Sequence, residues 1–296
     1  MNILITGGTG FIGSALVNSL INNKNFNLII MSRQNLKIKG IRLISSTREI
    51  NLKEKVDVII NLAGATINKR WSNSYKRELI NSRLKITKDI ISLIKRLKTK
   101  PSLLISASAI GYYGSQNNSH IDESSSCVED FTHKLCSVWE LEAKKAENFG
   151  VRTCITRLGV VLGNNGGALK EMLPAFKWGF GGIIGSGNQW FSWVHIEDVI
   201  NVFKFLINNK GQRGIFNLTS PNPVSNLKLT RAIGESLNRP TIFTIPAFVI
   251  RLIFGEMGEC LLLKGSAVYP SKLLKGKYRF KKILQKCLNN YVMQNC

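Results

Sequence analysis

The sequence predicts an α/β protein: a doubly wound parallel sheet with a smaller, mainly helical lobe. Three observations support this class. Short β-branched runs alternate with helical windows, the runs at 57–62 and 103–106 are apolar without alternation, and a glycine-rich turn joins the first strand to the first helix. Strands that are apolar on both faces need helices on both sides of the sheet, as in a parallel α/β fold.

The first half of the chain supplies most of the expected sheet. We expect strands at 3–6, 28–31, 56–62, 103–106 and 151–157, and helices at 11–22, 77–97 and 140–148. Strands and helices that alternate at this spacing form parallel pairs with right-handed crossovers.

The second half has a different pattern. Glycine-rich stretches at 163–167 and 179–187 are expected to line a cleft or a hinge. A helix at 197–207 and a strand at 215–218 follow, and helical segments punctuated by proline complete the chain. We therefore expect a nucleotide-binding domain from 1–163 and 191–220, and a substrate lobe from 164–190 and 221–296.

Composition excludes several classes of protein. The chain has 296 residues, of which 44% are hydrophobic, which excludes a disordered chain and a small disulfide scaffold. Its six cysteines show no CxxC or short Cys/His spacing, so we expect a reduced, cytoplasmic protein without a metal site. No apolar run approaches the roughly 20 residues that span a bilayer, so we expect no membrane partner.

The net charge of +23 raises the question of a polyanionic partner, because basic surfaces gain affinity by releasing counterions from phosphates. The basic residues are spread along the chain and concentrate only at 95–100 and 272–286, with few interleaved aromatic residues. This distribution favours solvated faces over nucleic acid binding. A functional polyanion surface remains the alternative.

The turn after the first strand has the sequence TGGTGFIG, with glycines at positions 7, 10 and 13. Glycines in a strand–turn–helix context permit a tight turn, close approach of a pyrophosphate, and an anion site at the helix N-terminus. The sheet is therefore expected to be of the Rossmann type. The predicted cofactor-binding residues of this turn are Gly7, Thr9, Gly10, Phe11, Ile12 and Gly13.

The second strand ends before Ser32 and Arg33, where a site that prefers NAD usually carries an acidic residue for the ribose 2′-hydroxyl. A guanidinium can instead pair bidentately with a 2′-phosphate, which a carboxylate would repel. We therefore predict NADP as the cofactor, with Ser32 and Arg33 in its site. A solvated arginine of a basic protein is the alternative interpretation.

Several further motifs carry a family resemblance. NLAG at 61–64, SASAIGYYG at 106–114 and VHIEDV at 194–199, together with TGGTGFIG, resemble an extended short-chain dehydrogenase/reductase of the NAD-dependent epimerase/dehydratase-like class. FTHKLCSVWE at 131–140, RLGVVLG at 157–163, AVYP at 267–270 and GxYxF at 276–280 are similar to the atypical "epimerase family" proteins. These proteins have a short characteristic C-terminal segment, here about 246–292.

The resemblance implies further cofactor contacts where strands end at the carboxyl edge of the sheet. It also implies that a helical arginine reaches cofactor phosphate, in a Glu…Ser-Arg pattern that would otherwise be read as solvated helix charges. The residues that it adds are Leu62, Ala63, Gly64, Glu78, Arg83, Ser106 and Val160. It also implies that His195 and Asp198 are structural.

The implied catalytic site departs from the family pattern. Typical members carry a Tyr-x-x-x-Lys pair that moves a proton during hydride transfer, and no such pair follows the serine here. Ser108 matches the family serine, and Tyr112 and Tyr113 follow it closely. We predict Ser108, Tyr113 and Tyr112 as catalytic residues, with His133 or Lys134 as alternative proton donors.

These features predict an NADP-binding oxidoreductase or epimerase-like enzyme that acts on a small-molecule substrate, as a monomer or homodimer. The missing Tyr-x-x-x-Lys pair supports a rival prediction, a catalytically inactive protein that senses NADP(H) or binds a partner.

Overall fold

The computed structural model describes residues 1–33, 39–116, 120–164 and 166–295. In chain order the strands are β1 (Asn2–Thr6), β2 (Asn27–Met31), β3 (Arg42–Ile44), β4 (Val58–Asn61), β5 (Leu103–Ala109), β6 (Arg152–Leu158), β7 (Val160–Leu162), β8 (Gly182–Ile184), β9 (Trp190–Phe191), β10 (Trp193–His195), β11 (Gly214–Leu218), β12 (Val224–Ser225) and β13 (Phe243–Ile245).

The α-helices in the same chain order are α1 (Phe11–Leu20), α2 (Asn73–Arg96), α3 (Phe131–Lys144), α4 (Gly167–Lys177), α5 (Ile196–Asn208), α6 (Asn226–Leu237), α7 (Ala247–Phe254), α8 (Glu256–Gly258), α9 (Ser271–Lys275) and α10 (Leu284–Asn295). Short 3₁₀ helices occupy Thr47–Glu49, Ile110–Tyr113 and Lys145–Phe149, and a π-helical turn occupies Glu259–Leu263.

Seven of the strands form one parallel sheet in the order β3-β2-β1-β4-β5-β6-β11. This confirms the predicted doubly wound sheet. The strand order reverses between β1 and β4, and ligands of such sheets bind in the crevice beyond the carboxyl ends at this point. Three-residue β3, which forms one edge of the sheet, was not predicted.

Each face of the sheet has its own hydrophobic core, because successive residues of a strand point to opposite faces. Ile3 and Ile5 of β1 pack in a cluster with Leu16 of α1 and Phe203 of α5. Leu4, between them, belongs to a second cluster that contains Ile90 and Ile94 of α2. Helices on both faces therefore bury the continuous apolar runs that the sequence analysis singled out.

Helix α3 differs from the prediction, since it starts at Phe131 instead of 140. Asp130 caps it: its Oδ1 atom accepts a hydrogen bond of 2.8 Å from the backbone N–H of His133. The first turn of α3 contains Thr132, His133 and Lys134, so few apolar residues mark the helical period there. Val160, predicted to follow the sixth strand, begins the separate strand β7, which pairs with β10.

The C-terminal part of the chain returns to the sheet through backbone hydrogen bonds. The carboxylate of Asp198, in the first turn of α5, accepts bonds from the N–H groups of Lys281 at 3.2 Å and Lys282 at 3.3 Å. Upstream, the Asn217 side chain of β11 donates to the Tyr269 carbonyl at 3.0 Å. Asp198 therefore anchors the C-terminal segment, as a structural residue does.

Among the helices that the structure describes, none combines the length and the apolar character needed to cross a bilayer.

We expect the side chain of His195 to make folding stability depend on pH. Its Nδ1 atom caps α5 by accepting from the Glu197 N–H at 3.3 Å, and burial lowers the pKa of His195. The unfolded chain takes up a proton near pH 6.5, while the folded chain resists it, so stability falls as pH drops through about 6.5 towards the folded-state pKa. His195→Asn keeps a capping oxygen and removes this titration. Urea unfolding across this range should give a flatter pH dependence in the variant; equal slopes would contradict the assignment.

Candidate active site

The glycine turn between β1 and α1 has no room for side chains. Gly7 has a φ of +69°, and a Cβ there would lie 2.8 Å from the Leu62 carbonyl oxygen. A Cβ on Gly13 would lie 2.1 Å from the Gly7 oxygen, to which Gly10 also donates its N–H at 3.0 Å. Gly10 caps α1 without a side-chain hydrogen bond. The turn is thus a cradle of bare backbone, and N–H groups of the helix N-terminus are available to an anion.

Phe11 joins this turn to the loop that follows β7. A Cβ on Gly166 would lie 2.4 Å from Cδ2 of Phe11, and a Cβ on Gly167 would lie 2.6 Å from its Cε1. Ile12 packs against the core of the sheet, whereas Thr9 is exposed. The predicted cofactor residues of the turn therefore include both structural and accessible side chains.

A buried asparagine, Asn61, hydrogen-bonds to two neighbouring strands and to a helix where the strand order reverses. The Oδ1 atom of Asn61 accepts from Thr6 of β1 at 2.7 Å, and its Nδ2 group donates to Thr87 of α2 at 3.0 Å and to Ser106 of β5 at 3.4 Å. Ser106, predicted to contact cofactor, is therefore part of this network. Leu62, Ala63 and Gly64 follow directly and remain partly or fully exposed.

Arg83 of α2 lies against the loop that follows β4. Its guanidinium donates to the carbonyls of Leu79 at 2.9 Å and Ala65 at 3.1 Å, and its Cζ atom lies 5.2 Å from the ring centroid of Trp139. A Cβ on Gly64 would lie 3.1 Å from the same Cζ atom. Burial lowers the pKa of Arg83. Arg83 is thus close to the crevice, and its charge is partly engaged by the protein.

The remaining predicted cofactor residues lie at three places. Ser32 extends the pairing of β2 with β3 by one residue, since its N–H donates to the Ile44 carbonyl at 3.0 Å. Arg33 follows it and is exposed. Val160 is half-buried at the start of β7, and Glu78 is exposed on α2.

A buried ion pair lies between β5, β6 and α3. Arg157 of β6 donates to both carboxylate oxygens of Glu140, at 2.8 and 2.9 Å, and Ser108 of β5 donates to Oε1 of the same carboxylate at 2.7 Å. All three residues are at most 3% exposed. Burial opposes the charge of Arg157, but the hydrogen bonds and the charge of Glu140 outweigh it, so the pKa of Arg157 rises.

The guanidinium of Arg157 also lies against the rings of the two tyrosines that were predicted to be catalytic. Its Cζ atom lies 3.3 Å from the ring centroid of Tyr112 and 4.9 Å from that of Tyr113. Tyr113 is fully buried, its hydroxyl donates to Asn217 at 2.7 Å, and burial raises the pKa of Tyr113 to about 12. Tyr112 is half-buried, and its hydroxyl has no hydrogen bond within the part of the chain that the structure describes.

Different residues occupy the helix where a Tyr-x-x-x-Lys pair would lie. Asp130 stands four residues before Lys134, and the register shifted by two residues gives Thr132 and Cys136, which are both buried. Burial raises the pKa of the Cys136 thiol to about 11. Lys134 is exposed, and the His133 ring lies 2.5 Å from the Tyr112 carbonyl oxygen.

Sequence reasoning did not single out Glu140 and Arg157 as a pair. The available signal was Arg157, a charged residue next to the end of a strand predicted to be buried, whereas nothing distinguished Glu140 from the other charged residues of α3. In the described ranges, no three His, Cys, Asp or Glu side chains come together as a metal-binding group.

Comparison with known proteins identifies the family. The model of the NAD dependent epimerase/dehydratase family matches residues 3–219, and a domain of unknown function, DUF1731, matches residues 245–282. The chain therefore belongs to the NAD-dependent epimerase/dehydratase family.

More particular similarities cover nearly the whole chain. An epimerase family protein of Staphylococcus aureus (strain MRSA252) is 37% identical over 284 residues, which are 94% of each protein. The chloroplastic epimerase family protein SDR39U1 homolog of Arabidopsis thaliana is 35% identical over 292 residues, 95% of this chain and 83% of the relative. The crystal structure of human epimerase family protein SDR39U1 (isoform2) with NADPH has a TM-score of 0.88 at 29% identity and covers 99% of both chains. The predicted resemblance to epimerase family proteins is confirmed.

We expect the Glu140 carboxylate to be essential for folding stability. Glu140→Gln keeps the side-chain volume but leaves the buried charge of Arg157 without a counter-ion, which costs about 3–5 kcal/mol. Glu259→Gln is the matched control, because its partner Arg251 is exposed, and such a pair contributes about 0–1 kcal/mol. Urea unfolding of both variants measures the difference, and equal losses would contradict the role given to the buried pair.

Proposed function

We propose that this protein binds NADP(H) at the carboxyl edge of its sheet and catalyses an oxidoreductase or epimerase-like reaction on a small-molecule substrate. The observation that carries the proposal is the cradle of bare backbone at Gly7, Gly10 and Gly13, next to the strand-order reversal. The human relative with NADPH, similar over 99% of the chain, supports the choice of cofactor.

Each cofactor contact follows from local chemistry. N–H groups at the start of α1 bind the diphosphate, because the helix dipole favours negative charge there. The exposed guanidinium of Arg33 pairs with the 2′-phosphate at the end of β2. Residues 62–64 line the crevice, where the small size of Ala63 and Gly64 lets the cofactor approach the backbone, and Val160 contacts the reactive end of the site. The cofactor, when bound, supplies hydride transfer.

Tyr112 is the residue to which we assign the proton. Of the three predicted catalytic residues, Ser108 already donates to Glu140 and Tyr113 to Asn217, so both hydroxyl protons are used inside the protein. The hydroxyl of half-buried Tyr112 is the one left to exchange a proton with a substrate oxygen. Ser108 and Tyr113 are then positioning residues, which hold the ion pair on which the Tyr112 ring stacks.

A second candidate function has a specific observation in its favour. The positions of the tyrosine and lysine hold buried Thr132 and Cys136, and the family serine is engaged by Glu140. These substitutions support a protein that binds NADP(H) without turnover and reports its concentration to a partner.

We expect tighter binding of NADPH than of NADH, and Arg33→Ala should narrow the difference. The loss of a charge-assisted hydrogen bond costs roughly 1.5–3 kcal/mol, or about 10- to 150-fold in affinity. Titration of cofactor fluorescence measures both affinities. Arg231→Ala removes an equal charge from an exposed position on α6 and should leave the preference unchanged. Equal affinities of the unmutated protein for both cofactors would overturn the NADP assignment.

We expect Tyr112→Phe to lower turnover by roughly 10²- to 10⁴-fold, because it removes the proposed proton donor. NADPH binding should stay near that of the unmutated protein. The substrate is first sought among carbonyl compounds and nucleotide sugars by following NADPH absorbance. Tyr113→Phe is the matched control, and it should reduce stability more than rate.

Two outcomes would change these assignments, one for the proton donor and one for the function. Full activity of Tyr112→Phe would show that the proton comes from another residue. NADPH binding without turnover of any compound in the screen would favour the sensor.

A further inference from the structure

Cys127, which precedes helix α3, lies close to His133 in the first turn of that helix. The Sγ atom of Cys127 lies 3.8 Å from Nε2 of His133, and Cys127 is exposed. The other described thiols are less accessible: Cys260 is half-buried, and Cys136, Cys154 and Cys287 are buried. Cys296 lies outside the described residues. Among the described cysteines, exposure and a neighbouring imidazole therefore coincide at Cys127.

The tautomer of His133 follows from its second nitrogen. Nδ1 lies 2.5 Å from the Tyr112 carbonyl oxygen, and a carbonyl oxygen only accepts. Nδ1 of the neutral ring therefore carries the hydrogen, and Nε2 presents a lone pair to the Cys127 thiol.

The ring is also held in place. It meets the Tyr112 ring edge to face, with centroids 5.0 Å apart, and the backbone N–H of His133 is bound by Asp130. A nucleophile, a base within reach, and a third group that orients the base form the arrangement that activates cysteines in proteins.

We propose that Cys127 is a reactive thiol at which the protein forms mixed disulfides with small-molecule disulfides. Nε2 of His133 accepts the thiol proton, and the Cys127 thiolate attacks one sulfur of the disulfide. A new S–S bond forms, the original S–S bond breaks, and the departing thiolate takes the proton from the imidazolium. The cysteine is oxidised and the departing half of the disulfide is reduced, so no other reactant is needed.

A cavity borders the imidazole of His133, although Cys127 itself does not line it. This shallow cavity of about 360 Å³ opens on the outer face of α3, and it offers both charged and neutral polar groups. Its lining residues are Glu129, Asp130, His133, Lys134, Ser137 and Val138.

The test is the rate at which the folded chain reacts with 4,4′-dithiodipyridine, a neutral disulfide whose product absorbs light. Cys296→Ser serves as the background, so that the terminal thiol does not contribute. We expect a fast phase of one thiol per chain, which disappears in Cys127→Ser. Because the thiolate is the attacking species and Nε2 of His133 takes up the thiol proton, His133→Ala should slow this phase by roughly tenfold or more.

Two further variants test whether the effect depends on the imidazole of His133. His133→Asn retains a donor for the Tyr112 carbonyl but has no basic nitrogen to take up the thiol proton, and it should slow the reaction as His133→Ala does. Ser137→Ala, elsewhere in the cavity, should react at the unmutated rate. A fast phase that persists in Cys127→Ser, or unmutated rates in both His133 variants, would overturn the proposal. These measurements need no cofactor or substrate, so they stand apart from the proposed function.

Discussion

The carboxylate of Glu140 sets the positions of three elements at once. It belongs to α3, and it accepts hydrogen bonds from Ser108 of β5 and from Arg157 of β6. A charge removed from water costs several kcal/mol unless its partners lie at the correct distance and angle. The helix can therefore pack on the sheet in only one register without leaving an unmatched charge. The guanidinium held in this way is the surface on which Tyr112 and Tyr113 stack.

The same network extends to the C-terminal segment. The Tyr113 hydroxyl donates to Asn217, whose amide group donates to the Tyr269 carbonyl. The carboxylate of Glu123 accepts from the N–H groups of Asn217 and Lys272 nearby. Because these links use backbone atoms of the segment, its path over the carboxyl edge depends on few of its own side chains. The ion pair is thus connected to the C-terminal segment through the Tyr113 ring and its hydrogen bond to Asn217.

Much of the fold could be predicted from the sequence, because buried parallel strands and glycine spacing are local signals. The strands β1, β4 and β5 and the turn at Gly7 are examples. The edge strand β3 was missed because three residues, led by Arg42, carry too little apolar pattern to stand out. Its existence depends on pairing with β2, which is a tertiary contact.

The candidate site was less predictable for a physical reason. A tyrosine in the sequence does not reveal whether its hydroxyl is used internally, and Tyr112 and Tyr113 are adjacent yet differ completely in this respect. The distinction depends on Asn217, which is distant in the chain and meets Tyr113 only in the folded protein. The pairing of Glu140 with Arg157 likewise depends on how α3 lies across the sheet. The choice of cofactor and of catalytic residues stays a prediction.

The contact of Phe11 with Gly166 and Gly167 has a consequence for how the sequence can change during evolution. The aromatic ring occupies the volume that a methyl group at either glycine would need. A larger residue at 166 is therefore compatible with this fold only if position 11 becomes smaller in the same lineage, whereas a φ of +67° and the Val161 carbonyl oxygen, 2.6 Å from a Cβ, favour glycine at 167 whatever residue stands at 11. Since position 11 opens the helix of the nucleotide cradle, two segments more than half the chain apart must vary together, and homologous sequences should show them as a covarying group.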